Sequence, residues 1–330
     1  MSQNSLVIPN SSPLSGLNMI ADANNALDTL NTLSSGASAP GSPEAGQLWH
    51  DTTNNILKLR SLDDTTWIPL FNLNETTYLS TPTYTNAVVG GARNLVIKQA
   101  STTTATVTAD EVVVESGLGG FGFKIPSLNV TVNFGTNGAN GLDNGSLVAS
   151  SFYALYAIYN PSTATAAVLA TLWSAGQSIY SGSHMPSGYT MSALIGVMLT
   201  NGSSQLVVTT QYDREVFYQS GISIFSGQTN VSSLTSQSIA GAVPPSGTKT
   251  VSGRLATGLV ASVTNLPEVA ADSTGTGVQI GSSYSSTVTG VNNASVNFRQ
   301  LPVITSQAIY WSVGNAGGST SSMIIQSFTF

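Results

Sequence analysis

Residues 129–160, NVTVNFGTNGANGLDNGSLVASSFYALYAIYN, carry in one line the three textures that decide the fold. Val130, Val132 and Phe134 alternate with Asn129, Thr131 and Asn133, the period-two pattern of a strand with one buried face. The run GTNGANGLDNG that follows is dense in glycine and asparagine, which tolerate positive φ, and reads as a loop. FYALYAIY is then apolar at every position, as expected of a strand covered on both faces. It is strand-sized, far short of the roughly eighteen residues of a membrane-spanning helix.

The same texture continues on both sides. Thr106–Glu115 alternates and then runs apolar, and AVLATLW, ALIGVMLT and QLVVTTQYDREVFY are further strands between Gly, Pro and Ser turns. After Tyr218 the pattern restarts and ends in QAIYWSV, a Gly/Ser turn at 314–322, and SMIIQSFTF. Irregular strand spacing with frequent turns predicts two β-sandwich or jelly-roll-like modules, over 82–216 and 217–330. No internal repeat of roughly 20 to 50 residues is visible, which disfavours a long β-helix.

Upstream lies AGQLWHDTTNNILKLRSLDDTTWIPL, residues 45–70, with two of the four tryptophans. Leu57 and Leu59 face one way and Lys58 and Arg60 the other; Asn54-Asn55 predicts a two-residue hairpin turn, and Leu62–Thr66 a second turn before Trp67, Ile68 and Leu70. A three-stranded meander, within 46–81, buries too little to stand alone. Trp49 and Trp67 therefore need a surface to cover, most simply equivalent meanders of neighbouring subunits. Residues 1–45 form a leader whose one helical pattern sets Ile20, Leu27 and Ser34 seven apart, with Ala23 and Leu30 between them and Leu17 and Leu33 flanking. Ser15 is its expected cap and Gly36 its expected end. Two heptads with four asparagines make a weak isolated helix. It either docks on its own domain or packs with copies of itself or a docking protein. The linker ASAPGSPEAG follows.

Composition narrows the function. The 330 residues allow two or three domains. Charged residues are only 7% of the chain, against a usual ~25%, and about a quarter is Ser or Thr, so charge is not what disperses this surface. Such a chain fits a permanent assembly. The net charge of −6 with nine scattered Lys and Arg offers no basic patch for nucleic acid. The absence of cysteine excludes disulfides, thiolate chemistry and most structural zinc sites. MSQNSLVIPN has no basic region followed by an apolar run, so no secretory signal and no membrane span are expected, and synthesis in the cytoplasm is. Sequons such as Asn129-Val-Thr131 are then meaningless.

Two stretches carry a resemblance. AGQLWHDTTNNILKLRSLDDTTWIPL resembles the GxLWxDTTNNxLKxR…W hairpin module near the N-termini of many bacteriophage tail-fibre proteins, where it follows a short helix and a Pro/Gly linker. NVTVNFGTNGANGLDNGSLVASSFYALYAIYN…MPSGYTMSALIGVMLTNGSSQ is similar to a β-domain of phage tail-fibre and related virion proteins, GANGLDxGS…WYxxWxIYN…LPSGYT…GxxxxDGS. Phe152-Tyr153 and Leu155-Tyr156 depart from its usual aromatic pattern, and Thr200-Asn201 stands where Asp often sits. The resemblance implies a homotrimeric fibre in the virion, docked by its N-terminus on other tail or capsid proteins. It further implies that the distal β-domains, above all 217–330, meet a host-surface glycan or protein. Assembly contacts are then expected at Ile20, Leu27, Leu30, Trp49, Leu57, Leu59 and Trp67. A head fibre, decoration or collar protein without receptor binding is the alternative. A polysaccharide-cleaving tailspike is disfavoured by the missing β-helix.

Enzymatic readings find little. Asp110, Glu111 and Glu115, Asp213 with Glu215, and Glu268 with Asp272 are the candidate carboxylate pairs for glycoside hydrolysis, but Asp110 and Glu111 point to opposite faces and Arg214 interrupts the second pair. No Gly-x-Ser-x-Gly elbow occurs. Gly117-Leu-Gly119-Gly-Phe-Gly122 matches a dinucleotide fingerprint, yet Phe-Lys-Ile-Pro126 cannot open the helix it requires. Asp143 and Asn144 in GLDNG offer too few carboxylates for a dedicated calcium site. No catalytic residue, cofactor or metal is expected. His184, flanked by Tyr180 and Tyr189 in SIYSGSHMPSGY, makes a candidate sugar-stacking loop, and His50 is read as structural.

Overall fold

The computed structural model describes residues 15–31, 33–74, 79–82, 87–120, 122–174, 176–259, 266–282, 292–314 and 320–330. Residues 1–14 of the leader, Phe121 of the glycine motif and 315–319 of the expected Gly/Ser turn lie outside them. The chain is mainly β and divides into two compact units, residues 1–86 and 87–330.

In the first unit, helix α1 (Gly16–Asn31) precedes β1 (Leu48–Asp51), β2 (Ile56–Arg60), β3 (Trp67–Asn74) and β4 (Leu79–Pro82), antiparallel in that order. Ser15 caps α1 by accepting the Asn18 N–H at 3.2 Å. The helix stops at Asn31 and not at Gly36, because Leu33 and Ser34 take positive φ. Gly36 instead bridges to Asp51, extending the edge of β1. The first hairpin turn has four residues, Thr52–Asn55, where Asn54-Asn55 alone was expected. Asp51 accepts the N–H groups of Thr53 and Asn54 and so draws the two threonines into the turn. The meander has four strands, since β4 adds to β3.

The second unit runs β5 (Ala92–Arg93), β6 (Val96–Gln99), β7 (Thr104–Glu115), β8 (Gly122–Asn137), β9 (Gly141–Leu142), β10 (Phe152–Asn160), β11 (Thr165–Leu172), β12 (Met191–Leu199), β13 (Thr209–Tyr212), β14 (Glu215–Thr229), β15 (Thr235–Ser238), β16 (Thr250–Leu259), β17 (Glu268–Ala270), β18 (Gln279–Ile280), β19 (Asn292–Pro302), β20 (Ala308–Ser312) and β21 (Thr320–Thr329). One large sheet follows the path β12-β10-β11-β9-β8-β7-β6-β13-β14-β21-β16-β19, and β12 also pairs with β7, closing its first six strands into a ring. The second sheet is β15-β20-β17-β18.

This topology explains the apolar strands. Every residue of β10 and β12 is buried. On one face of β10, Tyr153 meets Phe134 edge-on at 6.0 Å and Tyr159 stacks on Phe123 at 4.0 Å, both across the ring. On the other, Phe152, Tyr156 and Ile158 join the large core that contains Phe328, Phe298 and Trp311. That core fills the space between β16, β19 and β21 of the large sheet and β17 and β20 of the small one, a two-layer sandwich. A bulge in β12 opposite Leu155 and Tyr156 leaves backbone groups unpaired by the ladder. The buried Gln211 side chain supplies partners there, donating to the Ile195 carbonyl and accepting the Val197 N–H, and it also donates to the Asp213 carbonyl in the β13–β14 turn. The expected division at 216/217 falls inside β14, which pairs with β13 before it and β21 beyond it, so residues 87–330 are one unit.

Candidate functional site

The residues singled out for assembly occupy three different environments. Ile20, Leu27 and Leu30 are 57%, 62% and 60% exposed, and Leu17 more so, so the helix presents its apolar residues to solvent. Leu57 and Leu59 are half-buried on one face of the meander, where Leu57 pairs with Phe71 and Leu59 with Leu48 and Ile68; Ile68 and Phe71 are exposed. The tryptophans lie on the opposite face, with the charges. Trp49 is cross-strand from Lys58, whose ammonium sits 4.7 Å from its ring centre, and Trp67 is cross-strand from Arg60. The two rings meet edge-on at 5.2 Å. Trp49 is only 5% exposed, and its indole N–H donates to the Gly36 carbonyl. The cover that Trp49 requires is thus supplied largely by its own chain. His50 is structural, as expected: its Nδ1 hydrogen-bonds Ser35.

The loop of Tyr180, His184 and Tyr189 is arranged differently from a stacking platform. Tyr180 is 9% exposed and packs edge-on against Tyr156. Its hydroxyl donates to Asp143 Oδ2 at 2.9 Å and accepts the His184 N–H at 3.2 Å. Burial, with Asp143 beside it, pushes the Tyr180 pKa up to about 12, so the phenol is a donor at neutral pH. Tyr180 therefore cannot lie under a sugar; it ties the loop to GLDNG. Tyr189 is half-buried against the core, and His184 alone is exposed. Replacing Tyr180 with phenylalanine is expected to cost about 2 kcal/mol, the value of a bond to a charged acceptor, read from the denaturant midpoint. An unchanged midpoint would mean that water replaces the hydroxyl without loss.

Most of the candidate carboxylates are held by bonds within the chain. Asp110 accepts the Asn94 amide, Glu111 lies 3.4 Å from Lys124, Glu115 accepts the Gly119 N–H and Glu268 accepts the Ser312 hydroxyl. Asp272 accepts from Thr274 and Thr276, and those bonds hold its pKa well below the ordinary carboxylate value. Asp143 turns inward to Tyr180. Asp213 takes positive φ in the β13–β14 turn, and Glu215 accepts the Ser327 hydroxyl at 2.8 Å. Among the described residues no group of three His, Asp or Glu side chains converges as metal ligands, and no helix is long and apolar enough to cross a membrane.

Most of the side chains that do converge were not singled out by the sequence. On the outer face of β14, β21, β16 and β19, an open groove of about 780 Å³ is lined by Glu215, Phe217, Ser252, Arg299, Gln300 and Gln326, among others. Of these, Glu215 is the residue that the sequence offers as a candidate, as half of a carboxylate pair. Comparison with protein-family models matches none of them, and comparison with curated proteins finds no significant match.

Proposed function

We propose that this chain is a structural protein of a bacteriophage particle, a short trimeric tail fibre that docks through its amino-terminal unit and attaches to the host surface through its distal β-unit. The observation that carries the reading is the apolar face of α1. Ile20, Leu27 and Leu30 stand exposed at heptad spacing, with Leu17 exposed beside them, on a helix too short and asparagine-rich to persist alone. Association with copies of the chain buries that face, and a permanent assembly accounts for a surface with so few charges. The two sequence resemblances give the association its context. The β-unit offers a hydroxyl- and amide-rich surface suited to contact outside the cell.

The test uses the full chain. Light scattering is expected to give a trimer, and Leu27→Asp to shift it to smaller species by placing a charge in the seam, with the β-unit's melting unchanged. Retention on a panel of bacterial strains is expected to be strain-selective. A monomeric wild-type chain would remove the fibre reading. A trimer retained by no strain would favour a head fibre or collar protein.

A further inference from the structure

We propose that the groove across β14, β21, β16 and β19 is an oligosaccharide-binding site. This rests on the attachment reading and names its ligand class and its residues.

The groove is built by aligned irregularities. Phe217, Ser327 and Ser252 pair in one row across β14, β21 and β16. Beside that row each ladder slips: Gln326 is the extra residue of β21 against β16, four residues of β14, 218–221, face that same Gln326 on the other side, and Arg299 and Gln300 of β19 together face the single Ser252. Gln300 takes φ of 47°, a strained value for this residue, and its N–H is fixed by Ser252 Oγ at 3.0 Å. The Gln279 side chain holds Arg299 at both ends of its peptide unit, donating to its carbonyl at 2.7 Å and accepting its N–H at 2.8 Å. Bulges in register over three strands bend the sheet and re-aim Arg299, Gln300 and Gln326 outward along one concavity.

The lining selects the ligand. Phe217 is 39% exposed and stands beside exposed Tyr212, edge-on at 6.2 Å, an apolar ring surface at one wall. Around it are planar amides and a guanidinium, at Gln300, Gln326, Asn297 and Arg299, and the Glu215 carboxylate that Ser327 orients. These groups donate and accept in pairs of adjacent atoms, the arrangement that adjacent sugar hydroxyls match, while the ring takes the C–H face of a pyranose. Strand addition by an extended peptide is disfavoured, because Phe217 lies between β13 and β21, β21 and β16 each have two strand neighbours, and on β19, which ends the sheet, the Gln279 side chain already takes the Arg299 N–H and carbonyl. A nucleic acid is disfavoured by the carboxylate and by the acidic chain. The volume falls in the roughly 300–1,000 Å³ range of ligand sites, and the open shape suits a chain that enters and leaves at both ends.

The test probes an array of purified bacterial O-polysaccharides and capsular polysaccharides with the full chain, alongside retention on the strain panel. The wild type is expected to be retained on at least one arrayed glycan. Phe217→Ala and Gln326→Ala are each expected to lower that retention about tenfold or more, with Leu118→Ala, at an exposed position outside the groove, unchanged. Should Phe217→Ala alter the melting curve, Arg299→Ala, at an exposed position, takes its place. Glycan retention indifferent to these variants, or a wild type retained by strains but by no arrayed glycan, overturns the groove and leaves the attachment reading standing. Retention by neither strains nor glycans overturns both.

Discussion

Asp51→Ala is expected to destabilise the amino-terminal unit by about 3 kcal/mol, the low end of the cost of breaking a buried ion pair. Asp51 is 2% exposed. Its Oδ1 accepts the N–H groups of Thr53 and Asn54 at 3.1 and 3.2 Å, and its Oδ2 accepts the Asn54 amide at 2.8 Å and the Lys58 ammonium at 2.7 Å. One carboxylate thus closes the β1–β2 turn and anchors the lysine that covers Trp49. Alanine orphans the turn's donors and frees the Lys58 chain, which can reach water and so limits the loss. Burial alone would raise the Asp51 pKa, but the bonds from Asn54 and Lys58 and the lysine charge outweigh it and leave the pKa below its ordinary value. The sign follows. A depressed folded-state pKa gives stability that is present above the unfolded value and is lost as pH falls through the folded one. Tryptophan fluorescence of the Trp49–Trp67 pair should therefore report acid unfolding below about pH 4, a limb that Asp51→Ala lacks. A variant melting like the wild type at pH 7 would remove Asp51 from this role.

How far the sequence discloses such arrangements depends on whether the signal is local. The covering of FYALYAIY on both faces is legible, because apolar residues fall on both of its faces, and the ring and the core take one face each. β1 to β3 are legible from alternation, whereas β4 is not: Leu79–Pro82 reads LSTP, four residues in which only Thr81 favours a strand and Pro82 opposes one. The end of α1 is misplaced because the cue was glycine, while the positive φ falls on Leu33 and Ser34. Tyr180 looks like a binding residue by its neighbours in the chain. Its true partner, Asp143, is 37 residues away, and only the fold brings the two together. The division at 216/217 fails for a related reason. β14 is fifteen residues long and broken by bulges that look like turns in the sequence, although the strand continues through them. The groove is the extreme case. Gln300 and Gln326 are ordinary exposed amides in sequence, and what aims them is a ladder slip shared by strands far apart in the chain.

One residue of that groove does carry a sequence signal, and it supports a second large effect. Gly253→Ala is expected to cost about 3 kcal/mol, the upper end for overpacking a well-filled interior. Gly253 lies at the slip in β16, between Ile325 of β21 and Phe298 of β19. An added methyl would collide with the Ile324 carbonyl oxygen and stand 2.7 Å from Phe298 Cζ. The first obstacle is backbone and the second a fully buried ring, so neither can step aside without parting β16 from β21 or opening the core. The restriction is one of space: φ at this glycine is not in the left-handed region. Gly258→Ala is the internal control, in the same strand, where the nearest heavy atom to an added methyl is the Thr320 carbonyl oxygen at 3.7 Å. That change is expected to stay within about 0.5 kcal/mol, as for a substitution that meets no obstacle. Denaturant titration of both variants separates steric exclusion from any general intolerance of alanine in β16. Because the slip at Gly253 also sets Gln326 and Gln300 outward, Gly253→Ala should abolish glycan retention even under conditions where it remains folded. Retention surviving in a folded Gly253→Ala protein would mean that the aligned bulges are not what shapes the site.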